Sequence, residues 1–149
     1  MVKAIPDNYH SVTPYLKVPG ITKLLDFLTQ AFDAKLVERM ARPDGTVMHA
    51  EVRIGDSVVM MGEPTGADEG PMPAMMYLYV ADTDAFYRRA IAAGAASVME
   101  PADQFYGDRN AGVKDPCGNL WWIATHVEDV APDEMARRAE ARMKQQAAG

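Results

Sequence analysis

The 149-residue chain has one cysteine, Cys117, so neither an internal disulfide nor a multi-cysteine metal site can form within it. No apolar run approaches the roughly 18 residues that a membrane span needs. The segment Met1 to Asn8 carries Lys3 but no apolar stretch behind it, so no secretory signal is expected. Positive charge is short: 15 Lys and Arg stand against 21 Asp and Glu, for a net charge of -6. A protein that grips a phosphate backbone needs a basic face, so no nucleic-acid partner is expected. Histidine is scarce, with three in all. The remaining balance, 48% hydrophobic and 24% charged, is that of a folded domain and not of a disordered chain. These absences leave a cytoplasmic, acidic domain with no membrane partner as the expectation.

What the chain does have is an internal repeat. Sliding it by 62 places sets Tyr15, Leu16 and Val18 on Tyr77, Leu78 and Val80. The same offset sets Ala31, Ala34, Glu38 and Gly45 on Ala93, Ala96, Glu100 and Gly107. Each half reads as strand, helix, then three strands. Ser11 to Val18 alternates as a strand, with an edge or break at Pro14, which lacks a ladder donor. Ile21, Leu24, Leu25 and Leu28 recur at helical spacing, which predicts a helix over Ile21 to Phe32. Strands follow at Lys35 to Ala41, Val47 to Ile54 and Ser57 to Met61, the last two joined by the tight turn Gly55-Asp56. In the second half, Ala74 to Val80 is a strand, and Asp82 or Thr83 caps a helix ended by Gly94. A strand at Ala96 to Glu100 and a loop at Gln104 to Asn110 come next. Ala111 to Lys114 and Leu120 to Thr125 then flank a turn. Pro132, Asp133 and Glu134 suit the first turn of a C-terminal helix with the thin apolar face Met135, Ala139 and Met143. The expected layout is one domain across 1–149: module one about 9–63, linker 64–73, module two about 74–127, and the terminal helix about 131–146.

This doubled unit resembles the vicinal oxygen chelate superfamily, the group of glyoxalases, bleomycin-resistance proteins and extradiol dioxygenases. The most specific local feature is the turn Asp115-Pro116-Cys117-Gly118-Asn119, which is similar to the superfamily's Asp-Pro-x-Gly-Asn turn. Tyr9 to Leu16, Met48 to Glu51, Tyr106 to Arg109 and Trp121 to His126 resemble the PhnB-like branch. The resemblance implies an α+β fold in which two βαβββ modules form a curved sheet cup. It also implies a homodimer. In the superfamily's metal enzymes, four His, Glu or Gln side chains on the first and last strands of the modules hold a divalent ion. The matching positions here are Thr13, Met60, Met75 and Trp122. Thioether sulfur is too soft for magnesium, zinc or iron in such a site, and indole has no lone pair to give. No cofactor is therefore expected, and a metal is not favoured.

Strand alternation places Tyr15, Met60, Met75, Tyr77, Tyr79 and Trp122 on the cup side. Leu16, Val18, Met76, Leu78, Val80, Trp121 and Ile123 fall on the helix side. His49 and Glu51, two apart on one strand, form the sharpest polar pair and are the candidate catalytic residues. Three readings stay open for them: a general base tuned by a carboxylate, two ligands of a displaced metal site that lacks its third, or a pair that only orients a ligand or faces solvent. Tyr106, Asp108 and Arg109 fall in the expected loop. There Arg109 either forks onto an anionic ligand group or bridges to Asp108. Cys117 reads as a turn residue with no base beside it. The eleven methionines fit an adaptable pocket or plain core packing.

The expected function is binding of a small, partly aromatic organic molecule without the usual metal. Tyr15, Met60, Met75, Tyr77, Tyr79, Tyr106 and Trp122 would give contact surface, and His49, Glu51 and Arg109 polarity. The alternative is an enzyme of the same superfamily, either metal-dependent or using His49 and Glu51 as a metal-free base. A third reading is a structural module with a filled cup.

Overall fold

The structure, a computed structural model, describes residues 2–66 and 69–149. Met1, in the segment read for a signal, and positions 67 and 68 of the expected linker lie outside the described residues. Module one comprises β1 (Tyr15–Lys17), α1 (Ile21–Phe32), β2 (Lys35–Ala41), β3 (Val47–Ile54) and β4 (Ser57–Gly62). Module two comprises β5 (Met75–Tyr79), α2 (Thr83–Ala92), β6 (Ala96–Asp103), β7 (Asp108–Lys114) and β8 (Leu120–His126), and α3 (Pro132–Ala148) follows. Each module forms one four-stranded mixed sheet, in the orders β1-β4-β3-β2 and β5-β8-β7-β6. The first strand of each runs parallel to the last, and the other pairs are antiparallel. This is the expected α+β fold of two βαβββ modules with a terminal helix.

Local chemistry sets the ends of the elements. Gly20 opens α1 at φ +83°, a conformation that costs a side chain but not glycine. Its free amide donates to the Glu63 carboxylate (2.9 Å), which also accepts from the Val47 amide. Glu63 thus ties the end of module one back to its start. Asp82 caps α2 by accepting from the Ala85 amide (3.1 Å).

The helix-facing sides of both sheets share one core. Leu16, Val18, Ala50, Val52 and Met61 from module one pack with Val113, Trp121 and Ile123 from module two. Leu24, Phe27, Leu28 and Phe32 of α1 fill the middle, with Met76, Leu78 and Val80 at the margin. The Phe32 and Trp121 rings lie 5.1 Å apart and join the modules. Burying a side chain of this size contributes roughly 1.5–3 kcal/mol. Arg89 of α2 forks onto Asp33 at the end of α1 (2.8 and 2.6 Å).

The turn that carried the family resemblance has a structural task. Asp115, 4% exposed, accepts from the amides of Cys117 and Asn119, the Asn119 side chain and the Trp121 indole. Asn119 in turn accepts from the Ala74 amide (3.0 Å). One buried carboxylate therefore shapes the turn, anchors the core indole and helps set the start of β5.

Several expectations are corrected. The first strand is three residues, not eight, because Pro14 and the segment before it make no ladder beyond Met60 N–H to Pro14 O (2.9 Å). β6 continues past Glu100 to Asp103, since Pro101 is tolerated on an edge strand with an irregular register. β7 starts at Asp108, so Asp108, Arg109 and Asn110 lie on a strand and not in the expected loop. α3 has no buried residue and is held mainly by Arg138, which forks onto Glu128 (2.8 and 2.9 Å) and donates to the Phe105 carbonyl (3.1 Å).

Register refines the repeat. Tyr15 pairs with Met60, and Met60 with Glu51; Tyr77 pairs with Trp122, and Trp122 with Gly112. A register shift in β2 sets Glu38 opposite Glu51, and the matching shift in β6 sets Met99 opposite Gly112. The counterpart of Glu38 is therefore Met99 and not Glu100. The counterpart of Glu51 is Gly112.

Candidate functional site

The expected site residues fall into two groups, one on the outer face of each sheet. On module one, His49 and Glu51 share a face of β3 with Tyr15 of β1 and Met60 of β4. His49 Nε2 lies 2.8 Å from Glu51 Oε2, and His49 Nδ1 lies 3.0 Å from the Tyr15 hydroxyl. Tyr9, from the N-terminal segment, donates to the other oxygen of Glu51. Glu51 is only 5% exposed. Burial raises its carboxyl pKa, but the hydrogen bonds from His49 and Tyr9 outweigh that and hold it below the ordinary value. With Nε2–H donating to Glu51, the tautomer of His49 that carries its proton there accepts from Tyr15 at Nδ1. The N-terminal segment roofs a cavity of about 450 Å³ here, lined by Pro6, Tyr9, Thr13, Glu51 and Met60 among others.

On module two, Asp108 and Asn110 form a buried polar floor, 4% and 2% exposed. Asp108 accepts from Tyr77 (2.7 Å), Tyr79 (2.9 Å) and His126 Nδ1 (2.9 Å). Burial pushes the Asp108 carboxyl up, yet these three bonds leave it below its usual value. The same carboxylate, followed by Asp129, raises His126, while burial and Asp108 raise Tyr77. Asn110 donates to the hydroxyls of Tyr77 (3.1 Å) and Tyr106 (2.7 Å). Its Oδ1 is buried with no hydrogen-bond partner among the described residues. Over this floor stand Tyr77 at 44% and Tyr79 at 60% exposed, while Met75, 65% exposed, lies at the opposite end of β5. The Trp122 ring lies across Gly112, where an added Cβ would stand 2.6 Å from it.

Arg109 is not brought to either group. It alternates to the helix side of β7, where its guanidinium forks onto Asp84 (2.7 and 3.0 Å) and also meets Asp103 (3.2 Å). It makes no bridge to Asp108. Cys117 packs its sulfur against the Gly20 carbonyl (3.4 Å), and burial raises its thiol pKa, so it is not poised as a thiolate. A larger cavity, about 690 Å³, lies elsewhere. It runs between β5 and the β3–β4 turn, lined mainly by helix-side residues such as Phe32, Val59, Leu78 and Trp121, and touches the site only through Tyr77 and Tyr79.

None of the four positions matched to the metal-enzyme pattern carries a usual donor for a hard divalent ion. Trp122 Nε1 donates to the Met75 sulfur (3.2 Å), so the two module-two positions engage each other. Thr13 and Met60 meet at the module-one cavity, but a hydroxyl and a thioether make a poor pair for a hard cation.

Sequence reasoning missed Tyr9, Glu38, Asn110 and His126 as site members. Asn110 and His126 required β7 to begin at Asp108 and β8 to extend to His126. Glu38 required the register shift in β2.

The doubled fold and the two outer faces define a protein of the vicinal oxygen chelate type. Residues 10–123 match the Glyoxalase/Bleomycin resistance protein/Dioxygenase superfamily, and the chain belongs to it. It is 35% identical over 135 residues to the uncharacterized protein Mb0911c of Mycobacterium bovis, covering 84% of this chain and 89% of that one. Among solved structures it is similar to TioX from Micromonospora sp. ML1, with TM-score 0.63, 27% identity, and coverage of 78% of this chain and 96% of that one. Protein PA1353 from Pseudomonas aeruginosa shares the fold at TM-score 0.65 and 18% identity, over 80% of this chain and 99% of that one.

Proposed function

We propose that this chain binds a small, partly aromatic organic molecule on the outer face of module two, without the four-ligand ion of the metal enzymes. One observation carries this reading: the unpartnered Asn110 Oδ1 sits beside the exposed Tyr77 and Tyr79, with Met75 and Trp122 further along the same face. A buried acceptor with no donor is costly, and a ligand N–H or O–H that reached it would relieve that cost. The aromatic and thioether walls supply contact area and adapt to shape. Tyr106 and Trp122 complete the module-two set. Tyr15, Met60, His49 and Glu51 are the corresponding set on module one.

A second copy of the chain is part of the proposal. Met40, Met48 and Val98, outside the ligand set, are exposed apolar side chains that a homodimer would cover. The four segments noted above support placement in the PhnB-like branch. No helix among the described residues is long and apolar enough to cross a membrane. A lone free thiol fits a cytoplasmic setting.

Titration of chelator-treated protein with a library of aromatic metabolites and antibiotics tests the binding. Ligands are expected to raise Tm and change Trp122 fluorescence, and Asn110→Leu is expected to abolish the effect at unchanged fold. No response from wild type across the library, or an equal response from Asn110→Leu, would overturn the reading.

The enzyme alternative draws on the Glu51–His49–Tyr15 chain, in which a carboxylate orients an imidazole as a general base requires. It predicts that His49→Ala loses turnover of any substrate found. Full retention would exclude it.

A further inference from the structure

We infer a divalent-cation site on module one, formed by Glu38, His49 and Glu51 and distinct from the four positions of the metal-enzyme pattern. The ligand atoms of these three side chains lie within 4.8 Å of one another. The inference concerns the other face from the ligand reading above and does not rest on it.

The donor set is chemically suited. Two carboxylates and an imidazole bind borderline divalent ions of the first transition row and leave further positions for water or ligand. Two such donors at about 2.0–2.2 Å from one ion, set at a right angle, stand about 3 Å apart. His49 Nε2 and Glu51 Oε2 are already 2.8 Å apart. Coordination through Nε2 takes the other tautomer, in which the one proton of the neutral ring sits on Nδ1 and is donated to the Tyr15 oxygen at 3.0 Å. That contact is the one by which a ligating histidine is usually oriented.

Electrostatics points the same way. Glu38 and Glu51 are direct cross-strand partners, an arrangement of like charges that destabilises a sheet. Glu51 is nearly buried, and among the described residues neither carboxylate makes an ion pair with a Lys or Arg. Arg53, on the same face of β3, turns its guanidinium to the Asn8 carbonyl (3.5 Å) instead. The fold does not demand these charges. Module two builds the same shifted register and fills the two positions with Met99 and Gly112. The register shift in β2 is what aims Glu38 at Glu51, a use of irregular strands common beside functional sites. The cavity of about 450 Å³ beside Glu51 gives an ion and its water room to enter.

The test is calorimetric titration of untagged, chelator-treated full chain with Zn²⁺, Mn²⁺ and Co²⁺, with the Co²⁺ visible spectrum as a second readout. One equivalent is expected to bind. Glu38 is exposed, so Glu38→Gln leaves the fold intact, and it should weaken binding by roughly tenfold or more. Tyr15→Phe, which removes the hydroxyl bonded to the imidazole, should cost roughly tenfold and shift the Co²⁺ spectrum. His126→Asn, in the other cluster, should change nothing. No saturable binding of any of the three ions, equal affinity in wild type and Glu38→Gln, or loss of binding in His126→Asn would each overturn the site.

Discussion

The outer faces of the two modules share a backbone plan and differ in chemistry. In each, the first strand pairs with the last, the last with the third, and a register shift in the second strand resets its side chains. Module one places Glu51, Glu38 and His49 on that frame. Module two places Gly112 and Met99 there and lays Trp122 across the glycine. Its polar groups, Asp108, Asn110 and His126, gather instead at the far end of the sheet. One backbone thus carries a compact acidic pocket on one side and an aromatic surface with a polar floor on the other. The lesson is that the frame positions side chains and the residue at each place decides what the face can hold.

The largest break in this comparison comes from the core that both modules share. Phe32→Ala removes the ring that meets Trp121, and should cost about 3–5 kcal/mol. Urea unfolding followed by tryptophan fluorescence and by circular dichroism should give one coincident transition. Two separated transitions would show that the modules fold independently.

A smaller effect is expected where the modules differ. Gly112→Ala puts a Cβ against the Trp122 ring at 2.6 Å, so the indole must move. The expected cost is about 1–3 kcal/mol, with a shift in Trp122 emission. Unchanged emission and midpoint would mean that the indole has another place to lie, and the contrast with Glu51 would lose its packing basis.

The smallest effect is electrostatic. His126 is held above its ordinary value of 6.5 by Asp108 and then Asp129. A raised histidine stabilises the fold fully below its unfolded pKa, and that contribution is lost as pH rises through the folded value. Asp108 is held below its ordinary 3.8, so its contribution is present above the unfolded value and is lost as pH falls through the folded one. The pair is therefore fully charged between the two values. A proton NMR titration should place His126 above 6.5, and Asp108→Asn should bring it down. No change in the variant would assign the shift to Asp129.

Much of this was legible in the residues themselves. The helical spacing of Ile21 to Phe32 and the helix-side set Leu16, Val18, Leu78, Trp121 and Ile123 follow from periodicity, which burial enforces. His49 and Glu51 were found because two residues apart on a strand face the same way. Arg109 was misplaced because its loop proved to be a strand, and alternation then turned it toward Asp84. Glu38 was seen only as a repeat match, since a one-residue register shift leaves no mark in a pattern of alternating side chains.

By itself the sequence determined the two βαβββ modules and the helix-facing side of β1, β5 and β8, because hydrophobic period is a local property. Only the tertiary structure decided which polar groups meet. Asn110 lost its acceptor's partner, Asp108 gathered two tyrosines and a histidine, and Glu38 came to face Glu51 through strand register. Register and bulges are settled by pairing between distant segments, so no single segment carries their record.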